Sequence, residues 1–148
     1  MKKYIYIVLV TALFIFTSNS SKAQCNSSLV TVCSAELGDG ATYLKELRAK
    51  LQAHKSGQQK PVARYSILLN KGNHYRFNVC GAQEFDSEPI LQLYDKSKLL
   101  GSTYFAKTDK HYPAFDFVCP KTGVYKVMVS FTNGDEGCAV GILSLIKK

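Results

Sequence analysis

The chain has 148 residues, 46% of them hydrophobic, so it is large enough for one domain with a real core and too apolar to be disordered. Its net charge of +8 comes from 19 Lys and Arg against 11 Asp and Glu. The basic residues are scattered through strand and turn positions, which describes a solvated surface and excludes the clustered basic footprint of a nucleic-acid-binding domain.

The first residues have the layout of an export signal. Lys2 and Lys3 precede an apolar run from Tyr4 to Phe16, and a polar stretch ends in Ser21-Lys22-Ala23. This predicts a signal peptide over residues 1–23, cut after Ala23. An uncleaved anchor is the competing reading, but the run falls short of the roughly 20 apolar residues of a membrane helix. No membrane span is expected after cleavage. Cys25 follows Lys22, Ala23 and Gln24, which do not form a lipobox. Removing 1–23 takes Lys2, Lys3 and Lys22 away, so the net charge falls to +5 and 125 residues remain. The protein is expected to be periplasmic or secreted. All five cysteines, Cys25, Cys33, Cys80, Cys119 and Cys138, lie in that mature part, where disulfides persist. The odd count leaves at least one thiol unpaired within the chain. There is no CxxC and no tight Cys/His cluster, so a zinc site is not expected.

Residues 24–42 read as an N-terminal segment and 43–148 as the folded domain. Asn26 to Leu37 fits helix by the spacing of Leu29, Val32, Cys33 and Leu37, or strand by the β-branched run Leu29-Val30-Thr31-Val32. Gly38-Asp39-Gly40 breaks the chain. Tyr43 to His54 fits both periods. Its composition favours helix, while Leu47, Ala49, Leu51 and Ala53 alternating with charged or polar residues favour a strand, which is the reading taken. From Pro61 on, alternating strands follow one another. Ala63 to Leu69 is closed by the turn Asn70-Lys71-Gly72-Asn73, and Tyr75, Phe77 and Val79 alternate in the next strand. After an acidic loop come Ile90 to Tyr94 and a weaker strand over Leu99 to Phe105. Phe115 and Phe117 alternate before a Pro120 to Gly123 turn, Tyr125 to Phe131 is a further strand, and Ala139 to Ile146 is the last. Short strands at regular spacing predict an all-β fold, a single antiparallel β-sandwich.

The segments YSILLNKGNHYRFNV, ILQLYDKSKLL and FDFVCPKTGVYKVMV together resemble the bacterial pre-peptidase C-terminal domain and its jelly-roll relatives, over Arg64 to Ile146. The chain is also similar to small exported proteins of Bacteroidetes-type bacteria, whose signals end in Ala-Gln. The chain departs from the pre-peptidase pattern in carrying no peptidase and in having these cysteines. The resemblance implies a jelly-roll-like strand order in which the third and eighth strands are antiparallel neighbours. That implies in turn a disulfide between Cys80 and Cys138, leaving Cys119 to meet Cys25 or Cys33.

The chemistry-bearing residues are sparse. No GxSxG is present, Ser66 and Ser130 fall inside strands, and His54, His74 and His111 are isolated, so a hydrolase is the least favoured reading. Glu84, Asp86 and Glu88 alternate in the acidic loop and could converge on calcium, with Asp109 or Asp116 completing the shell. Tyr94, Tyr104, Phe105 and Tyr112 could form a platform for a sugar ring, with Tyr104 and Tyr112 the most exposed candidates. The function expected is an exported, non-enzymatic binding or assembly module without a cofactor, partnered by a protein or glycan of the cell envelope. The alternative is a carbohydrate- or calcium-binding module.

Overall fold

The computed structural model describes Cys25 and residues 27–147; the signal peptide expected over 1–23 lies outside the described residues. Among the described residues, one α-helix, α1 (Ser27–Ala35), precedes ten strands: β1 (Ala41–Leu51), β2 (Ala63–Leu69), β3 (His74–Gly81), β4 (Pro89–Asp95), β5 (Lys98–Ser102), β6 (Tyr104–Phe105), β7 (Lys110–His111), β8 (Ala114–Val118), β9 (Gly123–Phe131) and β10 (Gly137–Ile146). Eight of them form two four-stranded sheets, ordered β1-β10-β3-β8 and β2-β9-β4-β5, with β6 and β7 as a separate hairpin. Every ladder is antiparallel. Counting only the sandwich strands, the orders are 1-8-3-6 and 2-7-4-5, the jelly-roll arrangement.

Alternation fills the space between the sheets. Leu47, Ala49, Tyr75, Phe77, Val79, Ala139 and Leu143 point inward from one sheet, and Ile67, Leu69, Leu91, Leu93, Tyr125, Val127, Val129 and Phe131 from the other. Phe77 stacks on Phe115 with ring centroids 5.2 Å apart, and Phe117 meets Tyr125 edge-on at 5.8 Å. One open side of the sandwich is tied by the Tyr65 hydroxyl donating to the Arg48 carbonyl. The segment with two possible periods, Tyr43 to His54, lies mainly in strand β1. Leu47 and Ala49 face the core, and β1 pairs with β10 along its length apart from a bulge between Tyr43 and Lys45. A continuous ladder outweighs the few tenths of a kcal/mol per residue that favoured helix.

The N-terminal segment resolves the other way, into α1. Nine residues with three β-branched side chains would not hold a helix alone in water. Here α1 lies on the outer face of the β1-β10-β3-β8 sheet. Cys33 and Leu37 bury with Val140 and Ile142 in a second small core, flanked by Leu29, Val30 and Cys80. Two disulfides hold it there: Cys25–Cys138, with Cα atoms 5.5 Å apart, and Cys33–Cys80, 5.7 Å apart.

That pairing corrects the expected Cys80–Cys138 bond. The implied strand neighbours are correct, since β3 and β10 are paired, but the register sets Cys80 opposite Val140 and Ala139 opposite Gly81. Cys80 and Cys138 are therefore diagonal neighbours on one face, a separation of about 7–8 Å that a disulfide does not bridge. Both reach up to the N-terminal segment instead. Cys119, expected to meet Cys25 or Cys33, is free and buried. It sits at the opposite end of the strands, where its N–H donates to the Asn73 carbonyl and its carbonyl accepts from Gly72 N–H.

Candidate functional site

Strand direction sorts the connections into two groups. The turns 70–73, 96–97 and 119–122 lie at one end of the sandwich, and the longer connections 52–62, 82–88, 103–113 and 132–136 lie at the other. The long loops are tied to one another and to the strand ends by backbone hydrogen bonds. His54 N–H donates to the Gly134 carbonyl (2.6 Å), and Thr132 donates to the Glu88 carbonyl through both N–H (3.1 Å) and hydroxyl (3.2 Å). The Ser87 hydroxyl donates to the Glu136 carbonyl (2.6 Å), and Val79 N–H donates to the Pro113 carbonyl (2.9 Å). Gly134 has a φ of 80°, which strains any other residue, and a Cβ there would crowd His54 and Lys60 at 3.0 and 3.1 Å.

One of these connections, 103–113, carries the β6-β7 hairpin. Its base is fixed by Thr103, which is fully buried. Thr103 N–H donates to the Leu91 carbonyl (3.0 Å), its hydroxyl oxygen accepts from Leu91 N–H (2.9 Å), and its carbonyl accepts from Tyr112 N–H (2.8 Å). From that base the register places Tyr104 opposite His111 and Phe105 opposite Lys110. One face of the hairpin carries Tyr104 against His111, ring centroids 4.6 Å apart. The Tyr104 hydroxyl donates to Asp109 (3.0 Å), which holds that phenol above its ordinary range. The other face carries Phe105 edge-on to Tyr112 at 5.8 Å, and these two rings are 58% and 45% exposed. Aromatic rings held rigidly in water are the usual anchors of recognition, because ordering them on binding costs little entropy.

Beside this end, Glu84, Asp86, Asp135 and Glu136 line an open depression of about 280 Å³ with Phe85 and Ser87. Glu88 is not among its lining residues. The described residues contain no group of three or more His, Cys, Asp or Glu placed to hold a metal ion, so Glu84, Asp86 and Glu88 do not converge. The two carboxylates expected to complete a calcium shell are engaged elsewhere. Asp109 accepts from Tyr104, and Asp116 accepts two hydrogen bonds from Arg76 (2.6 and 2.9 Å). The Arg76 guanidinium holds the Asp116 carboxyl below the usual carboxylate range.

The four rings expected to form a sugar platform do not share one face, since Tyr104 lies on the opposite side of the hairpin from Phe105 and Tyr112. Tyr104, Phe105 and Tyr112 share the hairpin, but Tyr94 lies on β4 and donates to Gln92 (3.2 Å). His74 is 3.4 Å from Asp116, yet among the described residues no serine or cysteine is hydrogen-bonded to either. Reading the sequence weighed His111 only as an isolated histidine and gave Thr103 no role.

No family model and no curated protein matches the chain. Among solved structures it is similar to the crystal structure of Aeromonas hydrophila PliG, a periplasmic lysozyme inhibitor of g-type lysozyme. The TM-score is 0.50 at 12% sequence identity, with 74% of this chain and 90% of that chain covered. At that identity the likeness is one of fold. The chain is an all-β jelly-roll sandwich with a disulfide-held N-terminal helix.

Proposed function

We propose that this protein is an exported, non-enzymatic binding module, periplasmic or secreted, whose loop end docks a protein partner. The observation that carries the reading is the exposed Phe105–Tyr112 pair on a hairpin anchored by Thr103. The rings offer apolar area with little ordering cost, and the tied loops around them give a preorganised surface. Two disulfides among the described residues support export. The shared fold with an inhibitor of g-type lysozyme supports a protein partner and names the first one to try, a cell-wall glycosidase. The likeness of Arg64 to Ile146 to pre-peptidase C-terminal domains is carried as a proposal of kinship, supported by the jelly-roll strand order.

The test is inhibition of g-type lysozyme on cell-wall substrate by the purified mature protein. Stoichiometric inhibition, weakened about tenfold or more by Phe105→Ala with Tyr112→Ala, is expected for two central aromatic anchors. No inhibition at excess protein sinks the glycosidase partner. A second reading, glycan binding, is favoured by the same rings and by Tyr104 lying tilted against His111 on the other face of the hairpin. A glycan array decides it: retention of a sugar by the native protein, lost in the double variant, would move the partner from protein to carbohydrate.

A further inference from the structure

The fold gathers basic residues that are spread out in the sequence. On the outer face of the β2-β9-β4-β5 sheet, Leu68 pairs with Val124, Ser66 with Lys126 and Arg64 with Met128, while Tyr94 faces both Lys126 and Leu99 across the neighbouring ladders. Leu68 and Val124 are each 65% exposed, and Leu99 is 47% exposed. Around them stand Arg64, Lys71, Lys96, Lys98, Lys121 and Lys126, all exposed. The turns bearing Lys71 and Lys121 touch, since Lys71 N–H donates to the Thr122 hydroxyl at 2.9 Å. No ion pair among the described residues engages any of the six. Asp95, hydrogen-bonded into the ladder opposite Lys98, is the one acidic residue among these strands and turns.

Neither feature is explained by the fold. Leu68 and Val124 lie directly opposite each other and no described residue covers them, and a paired apolar contact left in water is a surface awaiting cover. Six cations that no described residue ion-pairs stand around it and specify what covers it: an anionic surface broad and flat enough to meet a sheet face. A lipid bilayer with anionic phosphate headgroups has both properties, taking lysines at the phosphates and apolar side chains just beneath them.

We propose that this sheet face docks the protein peripherally on a bilayer bearing anionic phosphate headgroups, with Leu68 and Val124 as the apolar contact. The proposal is independent of the loop-end reading, because Lys71, Lys96, Lys98 and Lys121 lie at or next to the turn end, whereas the β6-β7 hairpin lies at the other end.

Co-sedimentation with vesicles tests it. The mature protein should pellet with phosphatidylglycerol–phosphatidylethanolamine vesicles, be released by rising salt, and stay in solution with phosphatidylcholine. Lys71→Glu with Lys121→Glu should weaken the partition about tenfold or more. Leu68→Ser with Val124→Ser should also release it, and because both side chains are exposed the variant should melt with the native protein. A native protein that stays in solution with the anionic vesicles overturns the proposal, as does an apolar variant that pellets undiminished. Self-association without lipid, abolished by Leu68→Ser with Val124→Ser, would assign the face to a second copy and overturn it equally.

Discussion

Gly101 on β5 lies directly against the ring of Phe115 on β8, so that a Cβ on the glycine would sit 2.6 Å from Phe115 Cδ2. These are edge strands of different sheets, and their contact closes one side of the sandwich. Phe115 cannot readily yield, because its other face is stacked on Phe77. Gly101→Ala is therefore expected to lower stability by about 1–3 kcal/mol, the usual cost of overpacking. Urea unfolding should show a lower midpoint with the slope unchanged.

The cysteines allow a direct chemical test. Non-reducing peptide mapping should recover Cys25 joined to Cys138 and Cys33 joined to Cys80. A thiol reagent should find Cys119 only after denaturation, because it is buried in the fold. Replacing Cys33 and Cys80 together by alanine opens a crosslink across 47 residues and should cost about 4 kcal/mol in the chain-entropy model. Since the bond holds α1, helical signal should fall before the sandwich unfolds. A variant that melts like the native protein would contradict this.

Thr103 is expected to matter for structure and Phe105 for recognition. Thr103→Val removes the oxygen that accepts from Leu91 N–H inside the protein, and an unmet buried donor costs about 1–3 kcal/mol. Hydrogen exchange at the Leu91 amide should quicken. Phe105→Ala and Tyr112→Ala remove exposed rings and should shift stability by no more than about 0.5 kcal/mol.

Asp116 supplies a pH dependence. Its folded-state carboxyl titrates lower than in the unfolded chain, chiefly through the Arg76 hydrogen bonds and with a smaller contribution from His74. The stabilisation is thus present above the unfolded value near 4 and is lost as pH falls through the lower folded one. Its side chain is 37% exposed, so the effect is modest. The loss in urea midpoint on acidification below about pH 4 should be smaller in Asp116→Asn than in the native protein. Equal acid sensitivity would remove Asp116 from the account.

The sandwich was legible because its strands carry a strict period of two. Ala63 to Leu69 and Tyr125 to Phe131 have one register that buries their apolar side, and slipping by a residue would expose all of it. The loop harbouring Phe105 and Tyr112 was legible as a polar run with unexplained aromatics. The partnership of the cysteines was not. Knowing that β3 and β10 are neighbours leaves their offset open, and the offset of two residues between Cys80 and Cys138 separates a bond from a near miss. The acidic loop was equally open, since three alternating carboxylates say nothing of where their side chains turn.

The sequence by itself determined the class of fold and the location of its turns, because alternation and turn chemistry are local properties that any stretch of chain declares. Only the tertiary structure decided what meets what. α1 is a helix because the sheet face and two disulfides hold it. Arg64, Lys71, Lys96, Lys98, Lys121 and Lys126 share one face because three ladders bring distant strands and turns together. Such juxtapositions depend on strand order and register, which the packing of the whole core selects.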